Sequence, residues 1–275
     1  MYDIIGDIHG HARPLNALLQ TLGYISQDGV YAHPEDRQVI FLGDFIDRGP
    51  HILETLVIAK AMVDAGTALV VMGNHEFNAL AYHTKHPTED RYLRAHSEKN
   101  QKQHQATLDA LDDSQLAYYL SWFATLPTYL DLGNLRIVHA CWDPVQLAHI
   151  TRIFANHDGF DTDLLTAASN PNDPLFHAIE TVLKGPEAQL PPGYSYQDKE
   201  GNVRQRIRIK WYEAFAGQTI AQYMMPPKTP PDPELEIPLE LPAHANRHGY
   251  PATDPPVFVG HYWMPSKSPA PLAPN

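Results

Sequence analysis

Cysteine is nearly absent. Cys141 stands alone among 275 residues, so the chain forms no internal disulfide and builds no cysteine-rich zinc module. Positive charge is scarce too. Twenty Lys and Arg face 32 Asp and Glu, a formal net charge of -12. Nucleic-acid partners need clustered cations along the phosphate backbone, so none is expected. No apolar run reaches the roughly 20 residues of a membrane helix, and no membrane partner is expected. No signal-peptide pattern precedes a first strand that begins at Tyr2, which makes a soluble, cytoplasmic protein the default expectation. What the chain has in quantity is histidine, 16 residues, and proline, 25 residues. Its length and 43% hydrophobic content suit one large domain with a sizeable excursion.

Residues 2–5 read as a strand that ends in Gly6-Asp7-Ile8-His9-Gly10. Leu15, Leu18, Leu19 and Leu22 then form a helical stripe, with Gly23 as its stop. Val39-Ile40-Phe41-Leu42 is a buried-strand run ending in Gly43-Asp44-Phe45-Ile46-Asp47-Arg48-Gly49. A helix over Ile52–Ala65 leads to a third run, residues 68–72, which ends in Gly73-Asn74-His75-Glu76. The unit repeats: apolar strand, glycine, ligand-type residue, helix. Continuous apolar runs alternating with helices predict an α/β fold with mainly parallel strands, and ligands beyond the strands' carboxyl ends.

Residues 77–126 read as helical, and His83, His86, His96 and His104 within them read as surface residues in a polar stretch. Asp113 is expected to cap the helix that carries Leu116, Leu120 and Phe123. Residues 135–138 and 257–260 are further strands, closing on His139 and His261. Between them an excursion over about 145–256 is expected to form a cap. It holds a hairpin from Tyr194 to Trp211, whose Arg204, Arg206 and Arg208 share one face, read as solvated. A segment at 226–256 follows, and its ten prolines rule out a central strand or regular helix there.

Five strand ends thus offer Asp7 and His9; Asp44, Asp47 and Arg48; Asn74 and His75; His139; and His261. Singly, Asp7 or Asp44 reads as a helix cap, Asn74 as a turn residue, and His139 or His261 as a satisfied core histidine. Recurring together at strand ends, they read as a site for borderline divalent cations such as manganese, iron or zinc, with magnesium also compatible.

These motifs, in this order, resemble the signature of calcineurin-like metallophosphoesterases. More narrowly they resemble the phosphoprotein phosphatase branch, whose bacterial members include symmetric diadenosine tetraphosphate hydrolases. The resemblance implies an α/β sandwich of two mixed sheets flanked by helices, with two divalent ions, most often Mn²⁺, at the strand ends. It implies that Asp7 and His9 hold the first metal, that Asp44 bridges, and that Asn74, His139 and His261 complete the second. It makes His75 the general acid, Asp47 its orienting carboxylate and Arg48 the phosphate grip. The implied activity is metal-dependent hydrolysis of phosphate esters or anhydrides, on nucleotide polyphosphates or small phosphoesters. A phosphoprotein phosphatase is the alternative enzyme, and a binding module that keeps the metals without turnover is the non-enzyme alternative. The residues leave oligomeric state open.

Three departures from the pattern stand out. Ala140-Cys141-Trp142 replaces the small residues usual after the histidine at the His139 position, which should narrow the pocket, with Cys141 itself buried and structural. A second phosphate-binding arginine does not align. The chain after His261 is short and proline-rich, which puts completion of the sheet in question.

Overall fold

The computed structural model describes residues 1–197, 203–225, 235–241 and 247–262. The chain opens with β1 (Tyr2–Ile5), α1 (Ala12–Thr21), a hairpin of β2 (Ile25–Gln27) and β3 (Val30–Ala32), β4 (Gln38–Phe41), α2 (Ile52–Asp64) and β5 (Ala68–Val70). Three helices follow, α3 (Asn74–His83), α4 (Glu98–Ala110) and α5 (Asp113–Ala124), then β6 (Tyr129–Asp131) and β7 (Arg136–Val138). The helices α6 (Pro144–Phe154), α7 (Thr162–Ala168) and α8 (Pro174–Lys184) come next. Short elements complete the order: β8 (Glu187–Gln189), β9 (Tyr196–Gln197), β10 (Val203–Arg204), β11 (Arg206–Arg208), α9 (Ile220–Tyr223) and β12 (Val257–Phe258).

Two three-stranded sheets organise the site. β1, β4 and β5 pair in parallel in the order β1-β4-β5. Each return between them runs through a helix, the connection a parallel pair requires. The second sheet has the order β12-β7-β6, with β12 parallel and β6 antiparallel to β7. Among the described residues the first sheet is wholly parallel and the second mixed, where two mixed sheets were expected. The four residues between β6 and β7 allow nothing but a hairpin, whereas the first sheet has no such short link.

The expected apolar runs are real, and their continuity has a cause. Val39 and Phe41 join the large core that includes Leu15 and Leu19 of α1 and Leu56 and Met62 of α2. Ile40, Leu42 and Val71 point the other way and pack with Ile137 of β7. A strand buried on both faces cannot alternate with polar residues. The α1 stripe is narrower than the sequence suggests, since Leu18 is exposed. In the 77–126 stretch the helix is broken by a loop over 84–97, and Asp112 rather than Asp113 caps α5, accepting from the N–H groups of Ser114 and Gln115.

The region expected to be a cap divides in two. Its first part, α6–α8, contributes Leu147, Ile150, Leu164, Ile179 and Val182 to the large core. Asp143, Asp161 and Asp173 cap these helices through their carboxylates. From β8 onward a separate small core forms around Ala188, Ile207, Ile209, Ile220, Tyr223 and Leu239. β9 and β10 pair as the expected hairpin, but the alternation toward Trp211 breaks at Gln205, and β11 pairs instead with β8. The proposed turn at 198–202 lies outside the described residues, as do 226–234 and 242–246 of the proline-rich segment and the tail from 263. Of the described parts of that segment, residues 235–241 run alongside α9, with the Ile220 and Leu239 N–H groups bonded to the carbonyls of Ile237 and Gln218. Among the described residues no helix is long and apolar enough to cross a membrane.

Candidate metal centre

The three N-terminal loops reach one place because their backbones are stitched together. The Ile8 and His9 N–H groups both donate to the Asp44 carbonyl, at 3.0 and 2.8 Å, and Gly10 N–H donates to Phe45 O at 2.7 Å. Gly49 N–H returns to His9 O at 2.8 Å. The stitching leaves no room for side chains at two crossings. A Cβ on Gly49 would lie 2.3 Å from His9 O, and one on Gly43 would lie 2.3 Å from Gly73 N. Glu76, fully buried, ties the second loop to the third: its carboxylate accepts the N–H groups of Asp44 and Phe45 at 2.8 Å each and of Gly73 at 3.1 Å. Burial and the neighbouring Asp44 charge push the Glu76 carboxyl up to about 7.

The loops are also strained. His9, Asp44, Asp47, Arg48 and His261 all have φ between 47° and 67°, in the left-handed region that side chains with a Cβ rarely occupy. Such conformations cost on the order of 1–3 kcal/mol each and persist where surrounding contacts impose them. None of Asp7 or Asp44 is a helix cap; His11 and His51 occupy those positions.

The side chains meet around one carboxylate. Asp44 Oδ2 lies 3.6 Å from His9 Nε2, 3.9 Å from His75 Nε2 and 3.4 Å from His139 Nε2. Among the described residues two clusters have all their ligand atoms within 4.8 Å of one another: His9, Asp44 and His75, and Asp44, His139 and His261. Asp44 belongs to both. Asn74 Oδ1 joins the second cluster, 2.7 Å from His261 Nδ1 and 3.1 Å from His139 Nε2. Asp7 stays at the edge. It is exposed, belongs to neither cluster, and accepts the His261 backbone N–H on Oδ1 at 2.9 Å. Arg48 is exposed, close enough for its charge to act on the His9 ring.

The donor set suits cations. Each of three imidazoles gives its Nδ1–H to an oxygen: His9 to Ile46 O at 2.8 Å, His139 to Leu42 O at 2.5 Å and His261 to Asn74 Oδ1. That fixes ring orientation and turns each Nε2 lone pair inward, the usual support of a metal-binding histidine. The Nε2 atoms of His9 and His261 are buried with no hydrogen-bond partner, a costly state that a cation relieves. Burial lowers the pKa of both rings, and for His261 the charges of Arg208 and His139 add to it, so both stay neutral and able to ligate. Burial alone would raise Asp44, but the imidazoles of His139, His75 and His9 hold its carboxyl well below the usual range. His139 is opposed by burial and raised to about 9 by Asp44. A cation held at the cluster would take the place of that proton.

His75 is turned differently. Its Nδ1 lies 2.5 Å from Asp47 Oδ2, and its backbone N–H donates to Asp44 Oδ1 at 3.0 Å. Burial lowers its pKa, but Asp44 and Asp47 outweigh it and keep the ring protonated. Asp47 is held low against its burial by the hydrogen bonds of His104 and His75.

His104 was read as a surface residue and is not one. It is 5% exposed and bonds Asp47. His96 is stacked between Tyr82 and Tyr92. The expected narrowing by Ala140-Cys141-Trp142 takes another form, because all three are buried and Cys141 and Trp142 belong to the large core. Burial pushes the Cys141 thiol far up, as expected of a structural cysteine. Arg208 is half-buried, with Nε on Lys184 O at 2.7 Å, rather than on a solvated face.

Residues 2–178 match the family model described as calcineurin-like phosphoesterase. The chain belongs to the calcineurin-like phosphoesterase family. Among curated relatives of the chain are proteins named bis(5'-nucleosyl)-tetraphosphatase PrpE (asymmetrical). One, from Bacillus subtilis (strain 168), is 33% identical over 148 residues, half of this chain and 57% of the relative. Another, from Halalkalibacterium halodurans, is 47% identical over 74 residues, 27% of this chain and 30% of the relative. The chain thus spans about a third to a little over half of the curated relatives it matches. Their name carries the word asymmetrical, and the branch that the motifs resemble includes symmetric diadenosine tetraphosphate hydrolases. Among solved structures, a protein serine/threonine phosphatase from Saccharomyces cerevisiae is 17% identical, with a TM-score of 0.44, covering 73% of this chain and 52% of that one. A cold-active protein-tyrosine phosphatase of a Shewanella species is 19% identical, with a TM-score of 0.40, covering 63% of this chain and 55% of that one.

Proposed function

We propose that this phosphoesterase hydrolyses phosphoanhydrides or phosphoesters of small nucleotide-type substrates at a two-cation centre bridged by Asp44. The observation that carries the reading is the Asp44 carboxylate, common to two ligand clusters and faced by three inward Nε2 atoms. His9 with Asp7 would serve one cation, and Asn74, His139 and His261 the other. The two sheets would form the layers of a sandwich with this centre at its edge. Residues 1–275 would then be a single domain, the small core from β8 onward forming a rim.

Bound divalent ions supply Lewis acidity, charge neutralisation and a lowered pKa for water. The chain's own residues do the rest. Arg48 offers a planar fork to phosphate oxygens. Arg208, whose charge bears on His261, would offer a second anionic contact. His75 holds its proton on Nε2, facing the cluster, and passes it to the leaving oxygen while Asp47 keeps Nδ1–H in place. Phosphoryl transfer demands mainly positioning and charge stabilisation, which this set provides without a nucleophilic side chain.

The test is a substrate panel with added Mn²⁺: dinucleoside tetraphosphates, a chromogenic phosphate ester and phosphopeptides. Faster release from dinucleoside tetraphosphates supports the reading. Faster release from phosphopeptides would favour a phosphoprotein phosphatase. No turnover by folded, metal-loaded protein would favour a binding module.

A further inference from the structure

The polar layer behind His75 is deeper than a proton donor and one carboxylate. Asp47 Oδ2 faces His75 Nδ1 at 2.5 Å, and its Oδ1 accepts from Thr107 Oγ1 at 2.6 Å and from His104 Nδ1 at 2.9 Å. Thr107 Oγ1 in turn accepts the Asp47 backbone N–H at 3.1 Å. On its far side His104 Nε2 lies 3.1 Å from His83 Nε2, a contact that requires one proton between the two rings. Asp47, His75, His104 and Thr107 are each 5% exposed or less. His104 and Thr107 stand three residues apart on α4, one turn of one face.

We infer that His104, backed by His83 and assisted by Thr107, is a positioning residue that fixes the Asp47 carboxylate and, through it, the His75 ring. The inference rests on the reading of His75 as proton donor. Its physical basis is rotational. A carboxylate held only through Oδ2 can swing about Cβ–Cγ, and His75 would swing with it. Two donors on Oδ1, one from a buried ring and one from a hydroxyl, remove that freedom. The need is acute because Asp47 sits in a left-handed backbone conformation whose relaxation would carry the side chain away. Catalytic groups must be held within about 0.5 Å of productive geometry, and second-layer hydrogen bonds supply that constraint. α4 therefore serves the site without touching substrate or cation.

The test compares His104→Leu with His104→Asn, whose amide N–H takes the place of Nδ1–H. Two aryl phosphates are used with the Mn²⁺-loaded full chain. The leaving oxygen of p-nitrophenyl phosphate needs little protonation, whereas that of phenyl phosphate needs it. His104→Leu should lower kcat for phenyl phosphate by roughly tenfold or more, part of the 10²–10⁴-fold that general-acid catalysis provides. The loss on p-nitrophenyl phosphate should be several-fold smaller, with KM unchanged for both. His104→Asn should restore most of the rate. A second readout needs no turnover: in the metal-free protein the Nδ1–H resonance of His75 should persist in His104→Asn and be lost to exchange in His104→Leu. Equal losses on both esters, or an unchanged Nδ1–H signal in His104→Leu, would overturn the inference. His75→Asn is the control. If it shows no leaving-group bias, the reading of His75 fails; if it shows the bias and His104→Leu does not, only the role of His104 fails.

Discussion

The two halves of the candidate centre are built by opposite strategies. The half formed by His9, Asp44 and His75 comes from three loops within the first 76 residues, cross-braced by backbone hydrogen bonds, glycine crossings and the buried carboxylate of Glu76. The half formed by Asp44, His139 and His261 draws on distant strands, and β12, which brings His261, is two residues long. His261 depends on side-chain anchors instead: Asn74 on its ring and Asp7 on its N–H, a bond spanning 254 residues. One half is rigid by local construction. The other is held by tertiary closure, and the shared Asp44 couples them.

The substitution with the largest expected effect removes that coupling. Asp44→Asn should strip both cations and lower turnover by on the order of 10³-fold or more, since metal charge stabilisation contributes several kcal/mol. Metal analysis checks it, and retention of two ions would refute bridging. His75→Ala should cost roughly 10²–10⁴-fold in kcat while both ions stay bound; loss of metal would make His75 a ligand. His261→Ala separates the halves. It should abolish one ion and leave the other, so stoichiometry falls from two to one by calorimetric titration, and loss of both would mean the halves are not independent. The smallest effect is expected from Arg136→Ala. Arg136 bonds Asp254 and Tyr250 beside β12, so its loss should cost about 1 kcal/mol of stability and weaken only the second ion. Equal weakening of both ions would contradict the local role.

The same contrast explains what could be read from the chain. β1, β4 and β5 were legible because strands buried on both faces must be continuously apolar, and each ends on a glycine and a metal-type residue. His139 and His261 followed by the same pattern. His104 was not legible. α4 is polar almost throughout, and a polar residue that faces a buried carboxylate 57 positions away looks in sequence like one that faces water. The Glu187–Gln189 strand escaped for a related reason: three residues with a single apolar centre carry no period. α6–α8 do carry helical stripes, such as Leu175, Ala178, Ile179 and Val182. A stripe says that a face is buried but not against which core, and so these helices were assigned to the cap. Asp7 differs in kind: its motif marks it as a ligand, and in the structure it is exposed and accepts the His261 N–H.

The bond from His261 to Asp7 has a consequence for synthesis. At about 5–20 residues per second, His261 leaves the ribosome's catalytic centre roughly 10–40 s after Glu76. Once the first 76 residues have cleared the exit tunnel, the nascent chain can gather the His9, Asp44 and His75 side chains while it still lacks the strand that completes the second half. A cation captured early would meet an open, one-sided cradle, and filling the second half would wait on the pairing of β12 with β7.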